Sequence, residues 1–228
     1  MSVKSLPATL PENPLSVLQD WLQYATQNEV QRNPNAMSLA TVGENAQATA
    51  RIVLCKELVA DPGFAVFYTN YKSRKANEIA ANPRVGLLFH WDSLGLQARI
   101  DGVAVRCPEE ESDEYFASRD WRSQLGAWGS DQSQPLKSRL ALLNQVRERA
   151  LKLGFALAPD LASLAKGKLH AIPRPPHWGG YRVWATEVEL WVEGTSRIHD
   201  RARWTRTIVR ESENTFVCQA WASTRLQP

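Results

Sequence analysis

A chain of 228 residues with 43% hydrophobic and 22% charged residues has the balance of a folded globular protein, which excludes disordered and collagen-like classes. Its formal net charge of +3 is too small to signal a nucleic-acid binder and suits a protein whose ligands carry phosphates. Three dispersed cysteines, Cys55, Cys107 and Cys218, form no CxxC pair, so no disulfide framework or cysteine zinc site is expected and a reducing, cytoplasmic setting fits.

The opening MSVKSLPATLPENP has no apolar h-region, and no later stretch approaches the roughly 18 to 20 apolar residues of a membrane span. Residues 1–13 are polar and proline-broken and read as a flexible arm, ahead of one domain over 14–228. After Pro14, the residues Leu15, Leu18, Trp21, Leu22 and Ala25 recur at helical spacing. From Met37 to about Cys107 short β-rich runs follow: MSLATV, ATARIVLCKEL, FAVFYTN, RVGLLFHW and LQARIDGVAVRC. Turn signals at Gly43-Glu44-Asn45 and Asp61-Pro62-Gly63 separate them, and one helix, KSRKANEIAANP, interrupts them between a Ser73 cap and Pro83. The middle is helical, PEEESDEYFASRD and SRLALLNQVRERALKLG, with QLGAWGSDQSQP read as a loop between them. Strands resume with YRVWATEVELWV and TFVCQAWAS. The pattern predicts an α+β fold, an antiparallel β-barrel core flanked by helices.

No GxSxG, P-loop, HExxH or GxGxxG motif is present, and what remains is a scatter of Arg, Lys, Ser and Gln suited to phosphate recognition. In RIVLCK, alternation puts Arg51 and Lys56 on opposite faces. One of them turns inward toward an anion, or the run is an edge strand with two solvated cations. FYTNYKSRKA ends a strand and starts a helix at Ser73-Arg74-Lys75, an anion-binding arrangement. Tyr115, Arg119 and Ser123 recur every four residues and align on one face if the helix persists. Arg197, His199 and Arg201 form a cationic row if they share a strand. Nucleic acid could also occupy the basic tail of Arg197, Arg201, Arg203, Arg206 and Arg210, but only Trp204 is interleaved as a stacking platform.

Taken in order, RIVLCK, FYTN with SRKA, NPRVGLLF, the QxxxxG spacing from Gln97 to Gly102, YFASR with SQLGAW and QS, WGGYRV, RIHDR and the closing RLQP resemble the pyridoxine/pyridoxamine 5′-phosphate oxidase family over residues 36–228. The resemblance implies an FMN-binding split barrel, a homodimer with a cleft for one FMN at each of two positions on the subunit interface, and no metal. It implies that FMN is held by Arg51, Ile52, Val53, Leu54 and Lys56, by Tyr68, Thr69, Arg74 and Lys75, and by Gln97, Gln132, Ser133, Trp191 and Arg201. The substrate would meet Lys56, Tyr115, Arg119, Ser123, Arg197 and His199, with Arg197 and His199 as the catalytic pair that orients the ring and handles protons. The implied reaction oxidises a small phosphorylated pyridine, pyridoxine or pyridoxamine 5′-phosphate, to pyridoxal 5′-phosphate with O2 as acceptor and H2O2 as product. A related FMN oxidase acting on a dihydrophenazine is the alternative, and neither reading involves nucleic acid or a membrane. Cys55 stands where the family usually has leucine, and His90 and Trp121 stand where it usually has proline. The connection Ala156–Ile172 is longer than usual and reads as a surface excursion.

Overall fold

Period-two burial builds most of the fold. β1 (Ala36–Val42), β5 (Arg84–Trp91) and β6 (Leu96–Arg106) alternate buried and accessible residues along their lengths. This computed structural model describes residues 5–154 and 172–228, so the expected excursion Ala156–Ile172 lies outside the described residues except for Ile172. The remaining elements are α1 (Pro14–Gln27), β2 (Ala48–Leu54), β3 (Glu57–Val59), β4 (Phe64–Asn70), α2 (Arg74–Ala81), α3 (Glu109–Ser118), α4 (Trp121–Gly129), α5 (Arg139–Lys152), β7 (Trp178–Val192), β8 (Asp200–Thr205), β9 (Ile208–Arg210), β10 (Phe216–Cys218) and β11 (Ala222–Leu226). Nine strands form one sheet in the order β11-β8-β7-β6-β5-β1-β2, with β4 joined to β7 and β3. The fold is α+β with an antiparallel barrel-type sheet, as the sequence pattern predicts, and the sheet is of the split-barrel kind that the resemblance implies. Among the described residues no helix is long and apolar enough to cross a membrane.

The chain divides into two compact units. The first comprises Met1–Phe67, Glu78–Arg106 and Tyr181–Pro228. Its core stacks Leu39, Leu87, Phe89, Ile100, Val188, Leu190 and Trp204, all buried, from the inward positions of successive strands. α1 starts where expected: Asn13 caps it by accepting from the Leu15 amide at 3.0 Å, and Leu15, Leu18, Trp21 and Ala25 are buried. Register between β6 and β7 shifts at Asp101/Gly102, where a Cβ on Gly102 would lie 2.3 Å from the Trp184 carbonyl oxygen. Residues 5–13 carry no helix or strand, yet they are not a free arm. Leu6 is buried, its amide donates to Asp200 at 2.8 Å, and the Pro11 carbonyl accepts from the Trp204 indole at 2.8 Å.

The second unit comprises Tyr68–Asn77 and Cys107–Gly180. Phe116, Leu125, Ala150, Ile172 and Trp178 form its buried core. Two expectations fail here for one local reason. Arg119 is extended (φ −75°, ψ 150°), which ends α3 at Ser118, and Asp120 then caps a new helix by accepting from the Arg122 amide at 3.0 Å. Tyr115, Arg119 and Ser123 therefore do not share one helical face, and QLGAWG is the body of α4 rather than a loop. Gln124 stabilises the junction by donating to the Phe116 carbonyl at 2.8 Å.

The C-terminal reading also needs correction. The expected strand over TFVCQAWAS is split into β10, which pairs with β9, and β11, which pairs with β8. Arg197 lies in a 3-10 turn, Thr195–Arg197, with Ser196 (φ 55°) and Arg197 (φ 64°) in the left-handed region. The strand begins only at Asp200, so Arg197, His199 and Arg201 do not form one cationic row.

Candidate functional site

In the first unit, β2 is the sheet edge and its odd residues point inward. Arg51 follows Thr49 on that side and meets Glu78: Nη2 lies 2.9 Å from Glu78 Oε2, Nη1 donates to the Leu39 carbonyl at 3.1 Å, and both prongs donate to the hydroxyls of Thr41 and Thr49. Those two hydroxyls also donate to Glu78 Oε2 at 2.6 and 2.7 Å. The inward charge expected at this strand is thus Arg51, and its partner is a buried carboxylate of the chain itself. Ile52 is 64% exposed, Val53 and Leu54 are half-buried, and Lys56 is exposed with its amide donating to Val66 at 2.8 Å. Cys55 is buried, and burial pushes its thiol up to about 12, so it packs as a small apolar side chain.

Three expected cofactor residues fall into one cross-strand row. Gln97 on β6 stands opposite Trp191 on β7, which stands opposite Arg201 on β8. Directly opposed residues share a sheet face, so these side chains emerge together. His199 joins them: its ring lies 4.6 Å from the Trp191 ring, and its Nδ1 accepts from the Gly194 amide at 3.2 Å, which leaves the proton of the neutral ring on Nε2. Arg197 is exposed on its turn.

In the second unit several residues expected to bind an anion at the start of α2 lie together. Lys75 Nζ donates to Gln132 Oε1 at 2.8 Å and to Thr69 Oγ1 at 3.1 Å, and lies 3.3 Å from Ser73 Oγ. A cation, two hydroxyls and the first amides of a helix are the donor chemistry of a phosphate site. Arg74 and Ser133 are exposed, Ser133 with φ 73°.

The same unit holds an aromatic stack. Tyr68 lies 3.9 Å from Tyr115 and 5.3 Å from Trp178, with ring planes within 17° and 10° of parallel. The Arg119 guanidinium sits over Trp178 at 4.6 Å. Its Nη1 is buried with no hydrogen-bond partner, and burial holds its pKa below the usual arginine value. Ser123 is exposed on α4. Sequence reasoning missed Trp178, Glu78 and Glu189. WGG carried a signal for the first, whereas an isolated glutamate inside an apolar strand or a short helix carries none until its arginine is located.

The family described as "Pyridoxamine 5'-phosphate oxidase" matches residues 25–152, and "Pyridoxine 5'-phosphate oxidase C-terminal dimerisation region" matches residues 178–228. A pyridoxine/pyridoxamine 5′-phosphate oxidase of Paraburkholderia phytofirmans is 44% identical over 200 residues, covering 88% of this chain and 85% of its own. Among solved structures, PhzG from Burkholderia lata, in complex with tetrahydrophenazine-1-carboxylic acid, superposes with a TM-score of 0.78 at 29% identity over 100% of both chains. A pyridoxamine 5′-phosphate oxidase-related, FMN binding protein from Nostoc punctiforme shares the fold at a TM-score of 0.65 and 15% identity, covering 94% of this chain and 97% of that one.

Proposed function

Because the chain belongs to the pyridoxamine 5′-phosphate oxidase family, an oxidoreductase family, we propose that it oxidises pyridoxine or pyridoxamine 5′-phosphate to pyridoxal 5′-phosphate. It does so as a cytoplasmic FMN-dependent homodimer, with O2 as acceptor and H2O2 as product. When bound, FMN supplies the hydride acceptor for the substrate's C4′ carbon and the route for electrons to dioxygen. The chain's own residues bind, orient and manage protons. Lys75, Arg74, Thr69, Gln132 and Ser133 hold the cofactor phosphate end in the second unit. In the first unit Gln97, Trp191, Arg201 and the β2 stretch Ile52, Val53 and Leu54 are the residues that the resemblance assigns to the flavin, and in the second unit it assigns Tyr68. Arg51 supports that stretch from within, because its fork is committed to Glu78 and two threonines.

The observation that carries the substrate reading is Arg119. A guanidinium stacked on Trp178 with a buried, unpartnered Nη1 is costly unless an anion completes it. The substrate phosphate does so, with Tyr115 and Ser123 of the same unit as its further donors, and the resemblance also assigns Lys56 of the first unit to the substrate. Arg197 and His199 act on the ring: Arg197 orients it, and the Nε2 proton of His199 is the one available for exchange.

The likeness to PhzG supports a second reading, oxidation of a reduced phenazine, because a carboxylate could also occupy Arg119. Steady-state assays with pyridoxamine 5′-phosphate and with a dihydrophenazine carboxylate separate the two. Turnover of the first only is expected, and turnover of the second only would transfer the assignment to phenazines. Role assignment follows from two variants: Arg197→Met should keep FMN and lose turnover about 100-fold, whereas Lys75→Ala should lose FMN first. The reverse pattern would exchange the roles.

A further inference from the structure

Glu189 is a buried carboxylate that the reaction outlined above leaves without a role. It lies on β7 two residues before Trp191, with its side chain only 7% exposed. Its Oε1 accepts from both Nε and Nη2 of Arg201, at 3.0 and 2.8 Å. Its Oε2 lies 3.5 Å from Arg99 Nη2, but Arg99 has its short hydrogen bond elsewhere, to Glu187 Oε1 at 2.6 Å. Glu189 is therefore chiefly the partner of Arg201. The third guanidinium nitrogen of Arg201, Nη1, donates to the Gln227 carbonyl at 3.0 Å. All three nitrogens are held, so the plane of the guanidinium cannot turn without breaking a charge-assisted hydrogen bond.

The position of this pair in the sheet gives it a consequence. Arg201 occupies the cross-strand row with Trp191 and Gln97, and Glu189 shares their face one step along β7. With its fork spent on Glu189 and Gln227, Arg201 presents a bound group with its guanidinium face rather than with hydrogen-bond donors. A phosphate prefers the fork, whereas a flat ring system prefers the face.

We propose that Glu189 is a positioning residue for flavin: it presets the plane of Arg201 beside Trp191 and Gln97, and it acts on the ring system of the cofactor, not on its phosphate. This rests on assigning that row to FMN. The pairing also explains why a carboxylate is tolerated near an anionic cofactor, since its charge is consumed by Arg201.

The test is titration of the apoprotein with FMN and with riboflavin, which lacks the phosphate, followed by flavin fluorescence quenching. Glu189→Gln should weaken both flavins about tenfold, the size of one charge-assisted hydrogen bond. Lys75→Ala should weaken FMN alone. The double variant Glu189→Gln/Arg201→Ala should bind no more weakly than Arg201→Ala, because Glu189 works through that arginine. Losses that multiply in the double variant, or a Glu189→Gln loss confined to FMN, would overturn the inference while leaving the flavin assignment intact. A wild-type apoprotein that binds neither flavin would sink the flavin assignment itself and this inference with it. Should Glu189→Gln fail to fold, Glu189→Asp keeps the charge and withdraws the oxygens by one methylene. It should weaken both flavins in a protein of unchanged circular dichroism, and unchanged affinity there would contradict the proposal.

Discussion

Arg51 in the first unit and Arg119 in the second are both arginines drawn partly out of water, and their surroundings differ in kind. Arg51 is met by a buried carboxylate, a carbonyl and two hydroxyls. Arg119 is met by aromatic faces, and one of its nitrogens has no partner. A cation that serves the fold brings its own counter-charge, whereas a cation that serves a ligand leaves the counter-charge to the ligand.

Exchanging each arginine for methionine breaks this comparison most sharply. Arg119→Met should lower kcat/KM for pyridoxamine 5′-phosphate by about a hundredfold, the loss of two charge-assisted hydrogen bonds, while leaving FMN affinity unchanged. A loss below tenfold in steady-state assays would remove Arg119 from the substrate site. Arg51→Met should instead cost stability, about 2 to 3 kcal/mol in denaturant unfolding, because the buried Glu78 carboxylate would lose the guanidinium that lies 2.9 Å from its Oε2. Arg119→Met in the ligand-free protein should be neutral or stabilising in the same experiment, since it removes an uncompensated cation.

A smaller effect sharpens the same contrast. Inorganic phosphate at about ten times its dissociation constant should raise the melting temperature of the wild type by a few degrees, and clearly less in Arg119→Met. Equal shifts in the two proteins would place the anion elsewhere. The smallest effect belongs to a surface pair, Asp131 with Arg149 at 2.6 Å, where the hydrogen bond from Arg149 holds the Asp131 carboxyl below the usual aspartate range. Its stabilisation is present above that range and is lost as pH falls through the lowered folded value. Asp131→Asn should therefore cost a few tenths of a kcal/mol at neutral pH, and its deficit in thermal melts should close as pH falls below about 4. A deficit that persisted in acid would mean that the pair is not its source.

Much of this was legible in the sequence, and the failures have physical causes. Strand runs such as RVGLLFHW were readable because half-buried strands must alternate, and the α2 start was readable because Ser73 precedes two cations ahead of an apolar spacing. The break at Arg119-Asp120 was not. Helical spacing across Tyr115, Arg119 and Ser123 survives in the sequence whether or not the backbone turns extended between them, and only the Asp120 cap hinted at a restart. The turn at Ser196-Arg197 was hidden for a similar reason, because positive φ at non-glycine residues is set by tertiary context and leaves no compositional mark. At the candidate site the cations and aromatics were visible by type. Their acidic partners Glu78 and Glu189 were not, since a buried carboxylate and a solvated one look alike until the partner is in place.

The most direct test of the proposed oxidation is an anaerobic absorbance spectrum of the FMN-loaded protein before and after addition of pyridoxine 5′-phosphate or pyridoxamine 5′-phosphate. The proposal predicts that the flavin band bleaches on addition and returns in air while pyridoxal 5′-phosphate accumulates. A flavin band that both phosphorylated vitamers leave unchanged would contradict it.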